Sequence, residues 1–376
     1  MASNTNLYIT TFILVLILAT SLQSSSNLRD QQTEHDKRRE LYLVTGPTIF
    51  NINHDHINKL YKPFKEWDRK IHPFPCVSPD SPSNQGIMYI KVPKTSSTTL
   101  AKITSRIAGR EARRIHLGYD TCKVHDPMVH HSALELNCDK RDKILSFLWS
   151  VVRHPSDRAV SHYGMRMKRG ELEKSDDKFI DFLEKNEFPP NVQLQYLSTE
   201  YVPKDIDDNK SEDIVKSIME SFNFIGVYER LHESLVVLSM LIGVDLSDIL
   251  FDFVPSSNGR CGSLIKPSWL TPKMESYLES PSWKAKEKGD FMLYDAVNKS
   301  LDLTIDLLGR ERVKQNLKTY NMIINIGTDI SIQDVNMTGC GIIGLHPKVR
   351  PYDNLKDLPW FKKLLPHDQE YIKKYA

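Results

Sequence analysis

Lys94 with the hydroxyl run Thr95 to Thr99, and Arg153 with Ser161, are the residues of this sequence whose types and spacing can grip an anion. In "MYIKVPKTSSTTLAKI", Met88 to Ile103, a proline and a lysine lead from an apolar run into the hydroxyl cluster. An ammonium beside the hydroxyls and free N–H groups of a helix N-terminus makes an anion cradle. Simple helix capping is the plain alternative, but it needs one hydroxyl and no lysine. The Walker A loop of ordinary ATP and GTP sites needs G-x-x-x-x-G-K-[ST], and no glycine occurs between Lys91 and Leu100. In the second set, "VVRHPSDRAVSHYG", Arg153 ends an apolar run, His-Pro makes a turn, Ser156 can cap the next helix and Ser161 follows on its first turns. A guanidinium fork matches two phosphate oxygens at once. A surface arginine and a helix serine explain that set taken alone, whereas the two sets together suit a ligand with two separated phosphates.

The elements that must position these residues are legible as alternating strands and helices. Ile87 to Val92 read as a buried strand, and Leu100, Ile103 and Ile107 recur on one helix face. "ILSFLWSVV", Ile144 to Val152, is a second buried strand, followed by a helix face of Val160, Tyr163 and Met167. "FNFIGV", Phe222 to Val227, is a third, followed by Leu231, Leu235, Leu238 and Leu241. Three strand-to-helix units predict a parallel α/β sheet with its ligand at the strands' C-terminal ends. Phe291, Tyr294, Val297, Leu301, Ile305 and Leu308 predict one long amphipathic helix that Gly309 stops.

The chain of 376 residues, 40% of them hydrophobic, is long enough for a substantial core. A formal charge of +2 excludes the global field of a nucleic-acid binder. The positive charge is local: Lys91 to Arg114 hold seven Lys/Arg against one acid, and Asn137 to Gly170 hold eight against three. Solvated helix faces explain either window alone; two of them suggest two anionic groups on one ligand. From Ala2 to Leu28 no side chain is charged, and Leu7 to Leu22 contain the block "FILVLILA", which marks a signal anchor or a signal peptide. The nearest cations, Arg29 and Lys37 to Arg39, lie on its C-terminal side and run against a type II anchor; cleavage after Ser21 is the alternative. Sequons at Asn209, Asn298 and Asn336 fit a luminal protein. Five widely spaced cysteines without C-x-x-C spacing predict a disulfide or two and a free thiol. "HDPMVHH" carries three histidines without a matching carboxylate or cysteine pattern, so no metal is expected.

"VPKTSSTT" and "VVRHPSDRAVSHY" resemble the 5′-phosphosulfate loop and the 3′-phosphate strand and helix of the membrane-bound carbohydrate sulfotransferases, which use 3′-phosphoadenosine-5′-phosphosulfate (PAPS). "FIGVYERLHESLVVLSMLIG" and "DFMLYDAVNKSLDLTIDLLGRERV" are similar to segments of the galactose 3-O-sulfotransferases, the group that includes glycolipid-sulfating enzymes; the heparan and uronyl 2-O-sulfotransferases are relatives. The likeness spans Gly86 to Tyr320. It implies a P-loop-like three-layer α/β fold with a central parallel sheet flanked by helices. It implies PAPS as donor, released as 3′,5′-ADP, with no metal required. It puts the 5′-phosphosulfate on Lys94, Thr95, Ser97, Thr98 and Thr99, and the 3′-phosphate on Arg153 and Ser161. Lys94 is the group expected to stabilise charge on the leaving oxygen. By resemblance to the uronyl branch, His131 is the expected base for the acceptor hydroxyl, although that branch has H-x-H where this chain has adjacent His130 and His131. His116, His125 and Glu135 stand behind it.

The organisation expected is a signal anchor or signal peptide over 1–28, stem and linker over 29–85, a sulfotransferase catalytic domain over 86–325 and a C-terminal extension over 326–376. The expected partners are a carbohydrate acceptor, with the 3-OH of galactose in a glycolipid or glycan favoured and a uronic acid 2-OH as the alternative, and a membrane through the N-terminal segment. The expected location is the Golgi membrane, single-pass type II with a luminal catalytic domain, or secretion after cleavage. Two other classes compete. A nucleotide-dependent kinase needs magnesium carboxylates and a triphosphate loop. A luminal glycan-binding protein without catalysis has no need of Lys94, Arg153, Ser161 and a histidine together.

Overall fold

The computed structural model describes residues 61–67, 86–114, 122, 125–185, 188–203, 206–253, 267–334, 342–343 and 366. Its centre is a parallel sheet of β1 (Gly86–Tyr89), β2 (Ser146–Val152) and β3 (Phe224–Val227), in that spatial order. Met88 lies beside Leu148 and Trp149 beside Phe224. Every residue of the three strands is buried, which is why they read as continuous apolar runs rather than as alternating ones.

Helices flank this sheet, and each strand is followed by one. α1 (Ser97–Arg114) follows β1 and α2 (Pro155–Lys168) follows β2. Then come α3 (Asp176–Glu184), α4 (Val192–Leu197) and α5 (Asp208–Ser221). α6 (Leu231–Ile242) follows β3, then α7 (Pro272–Leu278), α8 (Pro281–Lys286), α9 (Lys288–Leu308) and α10 (Arg310–Asp334). This is the α/β class expected from the alternation. Leu100, Ile103 and Ile107 are buried on α1, and Leu231, Leu235, Leu238 and Leu241 on α6. α9 ends where Gly309 takes φ 88°, a left-handed value that side chains disfavour. Its Val297, Leu301 and Ile305 join the core; truncating one of them to Ala would cost about 2–5 kcal/mol.

Several local expectations shift. The second strand starts at Ser146, because the Asp142 carboxylate accepts the N–H groups of Ile144 and Leu145 at 2.8 and 3.1 Å and makes a turn there. Ile144 is exposed. Within the stretch assigned to stem and linker, Phe64 and Trp67 are buried: their rings meet Phe224 and Phe147 edge-on at 5.3 and 5.7 Å. Asn298 sits inside α9 with its side-chain oxygen accepting from Arg230 at 2.8 Å, and Ser300 is fully buried, so in the folded chain that sequon is engaged in packing. Asn209 is exposed at the start of α5, and Asn336 lies outside the described residues. Cys122 is disulfide-bonded. Cys138 is a free, buried thiol whose pKa burial pushes up to about 12. Among the described residues no helix is long and apolar enough to cross a membrane; the N-terminal apolar block lies outside them.

Candidate donor-nucleotide site

The turn between β1 and α1 is held in a costly conformation. Lys94 and Ser96 have φ 68° and 59°, in the left-handed region. Non-glycine residues occupy such regions at about 1–3 kcal/mol each, and only where the surroundings over-determine them. Here those surroundings are visible. Pro93 precedes Lys94, the buried Thr95 hydroxyl donates to Val92 O at 3.0 Å, and Ser96 O accepts the N–H groups of Thr99 and Leu100 at 3.0 and 3.2 Å. Ser97 and Thr98 therefore open α1, where helix N–H groups have no partner inside the helix. Ser97 and Thr99 are buried and Thr98 is exposed.

Arg153 brings the second set to the first. It stands one residue beyond β2, and its Nη1 donates to Lys94 O at 3.2 Å. Its guanidinium lies 4.4 Å from the centre of the Tyr228 ring, and its Nε is buried without a partner. Burial first, then the cations Arg153, Lys168 and Arg169, hold the Lys94 ammonium below the usual lysine range. The same field reaches His162, where burial, Arg158, Lys94, Arg166 and Arg169 press the imidazole down to about 4. Arg158, Arg166 and Arg169 are paired with Glu287, Glu171 and Glu171 at 3.5, 2.8 and 3.8 Å, and the buried Glu229 carboxylate lies in the field of Arg153, so the excess positive charge is centred on Lys94, and such an excess suits an anion. Ser161 is half-buried on α2, seven residues before Lys168 and so on the same face.

Several other cations of the basic windows have structural work. Arg110 pairs with Asp248 and donates to Ser247 Oγ at 2.6 Å, and Arg114 reaches Asp245 at 3.1 Å. Arg141 donates to Ser221 O, and Arg166 pairs with Glu171 at 2.8 Å. Ser156, expected as a cap, is not one. His154 takes the N-cap position with Pro155 after it, and the Ser156 hydroxyl accepts from Trp283 Nε1 at 3.0 Å.

The histidine segment lines the route into the Lys94 turn. His125 Nε2 is 3.1 Å from Tyr89 O, Lys91 Nζ donates to Met128 O at 2.6 Å, and His130 Nδ1 is 2.7 Å from Lys91 O. A carbonyl only accepts, so Nδ1 of His130 carries the proton and Nε2 is left with its lone pair. Burial lowers the His130 pKa, which keeps the ring neutral. His131 is differently placed: its Nδ1 is 3.9 Å from Glu135 Oε2, and its side chain is 41% exposed. Glu135 in turn accepts from the Ser132 N–H at 2.7 Å and from its hydroxyl, which lowers its pKa and suits a turn rather than proton abstraction. The three histidines of "HDPMVHH" thus go to different partners, and His116 lies outside the described residues.

Sequence patterns did not single out Tyr228, Gln193, Lys168 or Arg169 as site residues. Tyr228 could have been found as the residue following the third strand, and Lys168 and Arg169 as the end of the helix that carries Ser161. Gln193 had no sequence signal.

No family model matches the chain, and no solved structure does. Among curated proteins the chain is similar to galactose-3-O-sulfotransferase 3 of Bos taurus, at 22% identity over 327 residues, covering 77% of this chain and 73% of the relative. Spread over most of both chains, this likeness supports a galactose sulfotransferase family relationship.

Proposed function

We propose that the chain is a PAPS-dependent carbohydrate sulfotransferase, moving a sulfuryl group to a hydroxyl of a galactose-containing glycolipid or glycan. The observation that carries it is the bond from Arg153 Nη1 to Lys94 O, which joins the two cationic residues at the C-terminal ends of adjacent strands. A nucleotide with phosphates at both ends fits such a pair: the strained turn and the start of α1 suit the 5′ end, and Arg153 with Ser161 suits the 3′ end. The orphaned Nε of Arg153 and the uncompensated charge of Lys94 are what the nucleotide's oxygens would satisfy.

The bound donor would supply an activated sulfuryl group whose transfer leaves negative charge on a phosphate oxygen. Lys94 and the N–H groups of Ser97 and Thr98 would stabilise that charge, fixed in place before it develops. His130 Nε2 would take the proton from the acceptor hydroxyl, with Nδ1–H held on Lys91 O in the manner of an oriented general base. His130 replaces His131 in this role because its ring is anchored to the strand end that feeds the Lys94 turn. The relative's name motivates galactose as acceptor. The residues Gly86 to Asp334 would form the catalytic body, joined by Tyr61 to Trp67, with a luminal, Golgi-membrane location set by the N-terminal segment.

The test is a thermal shift with 3′,5′-ADP against ATP and magnesium, followed by labelled PAPS with a glycan panel. Stabilisation by 3′,5′-ADP in preference to ATP is expected. Stabilisation by ATP and magnesium alone would point to phosphoryl transfer, and binding of glycans without turnover would point to a lectin.

A further inference from the structure

Resting on the donor-site assignment above, we infer that Gln193 is a positioning residue, which sets the aim of Arg153 by standing in for a missing strand. β2 and β3 end together, with Val152 paired to Val227. Arg153 follows immediately, and its backbone N–H and C=O have no strand to meet. A buried peptide group left so is costly, and one left mobile could not aim its side chain. The Gln193 side-chain amide takes both: Arg153 N donates to Gln193 Oε1 at 2.7 Å, and Gln193 Nε2 donates to Arg153 O at 2.8 Å. Both backbone groups are thereby satisfied by one side chain where a neighbouring strand would have met them, so the order of the strand is carried one residue further.

Gln193 is itself fully buried and firmly held. It is the second residue of α4, and the Asp290 carboxylate of α9 accepts its N–H at 3.1 Å and that of Leu194 at 2.8 Å. Asp290 N donates to Asn191 Oδ1 at 3.1 Å, and the buried Arg158 of α2 stands 3.7 Å from Asp290. Gly289 leaves room for this approach of α9: a Cβ there would lie 2.9 Å from Leu194 Cδ2 and 3.0 Å from Asn191 Oδ1, so those side chains would have to shift. From Arg158 through Asp290 and Gln193 to Arg153, each link is a hydrogen bond or a close charge pair. The outcome is a guanidinium held over Tyr228 and bonded to Lys94 O.

A purely structural glutamine would be missed equally by any nucleotide; a glutamine that aims Arg153 would be missed only by a ligand with a 3′-phosphate. Affinities for 3′,5′-ADP and 5′-AMP are therefore measured for the wild type, Gln193→Met, Arg153→Ala and the double variant. Gln193→Met should weaken 3′,5′-ADP about tenfold and leave 5′-AMP within about twofold. In the Arg153→Ala background it should change neither. Equal loss for both nucleotides, an undiminished preference for 3′,5′-ADP over 5′-AMP, or an additive loss in the double variant would each overturn the inference while the donor site stands. A wild type with no preference for 3′,5′-ADP would remove the donor site and the inference together. Binding of 5′-AMP also registers folding. Should Gln193→Met not fold, Gln193→Glu keeps the acceptor for Arg153 N–H but loses the amide donor, and a selective loss for 3′,5′-ADP is again required.

Discussion

Replacing His130 with Ala should remove most of the turnover while leaving 3′,5′-ADP binding intact. The ring has one nitrogen committed to Lys91 O at 2.7 Å and one free, and its pKa is held below the usual histidine value by burial. General-base catalysis by such a group is worth about 10²–10⁴-fold, or roughly 3–5 kcal/mol of barrier. The loss belongs in kcat, because the base acts on the acceptor and touches neither phosphate of the donor. His131→Ala should change turnover by no more than about twofold, since its nearest charge partner is the turn residue Glu135 at 3.9 Å. The pH profile adds a second constraint. A base with a lowered pKa keeps its lone pair as the pH falls, so the acid limb of the wild-type profile should lie below the ordinary histidine value of 6.5. Steady-state turnover of both variants between pH 5 and about 8.5, with 3′,5′-ADP affinity as the control for folding, decides it. An inactive His131→Ala beside an active His130→Ala would refute the tautomer reasoning; full activity in both would move the base off this segment.

Arg153→Ala should weaken 3′,5′-ADP by about 2–4 kcal/mol, read by calorimetry, because it deletes the charge-assisted fork proposed to hold the 3′-phosphate. Lys94→Ala should lower turnover far more than it weakens 3′,5′-ADP, measured as kcat against Kd, because the ammonium matters most once the leaving oxygen is anionic. Glu287 carries the pH prediction for stability: burial, then Asp290, raises its carboxyl to about 8, against an ordinary 4.5. A raised folded pKa gives stability that is complete below the unfolded value and lost as the pH climbs through the folded one. Glu287→Gln should therefore melt progressively higher than the wild type from about pH 5 to about pH 8 and by a constant margin above that, and a constant difference across the whole range would show that Glu287 is ionised throughout.

The sheet and its three following helices were legible because their residues are buried on all sides, and burial leaves apolar runs that need no tertiary knowledge to read. Strand starts were less legible: Ile144 is as apolar as its neighbours, yet Asp142 captures its N–H and keeps it outside the strand. Lys94 and Arg153 could be found because each sits where a strand gives way to a helix, and Ser161 because it lies within the helix that follows Arg153. The charge windows misled for a definite reason. Arg106, Arg110 and Arg114 recur on a face of α1 that meets the Leu246 to Ile249 turn, where Arg110 and Arg114 pair with carboxylates, and sequence does not distinguish a cation facing a carboxylate from one facing solvent. Gln193 was invisible because its function is a pair of bonds to backbone 40 residues away.

The two left-handed residues of the first turn explain how an anion loop can lack the glycines that such loops ordinarily use. Glycine adopts that conformation without steric cost, but it brings no side chain. In this chain Lys94 adopts it and keeps its ammonium, while its carbonyl turns toward Arg153 Nη1 at 3.2 Å. In the proposed site one residue would therefore supply a charge to the 5′ end of the donor, while its carbonyl accepts from the arginine proposed for the 3′ end. Replacing Lys94 by glycine would relieve strain and remove the charge, whereas arginine would keep the charge on a longer, planar head that cannot occupy the same point. The steric cost at Lys94, about 1–3 kcal/mol, is of the order of, and on average below, the roughly 2.7–4 kcal/mol that one preorganised donor contributes where charge develops. Strain located at the residue nearest the proposed chemistry, in a turn closed by Thr95 and Ser96, is what a site shaped for the transition state rather than for stability would leave behind.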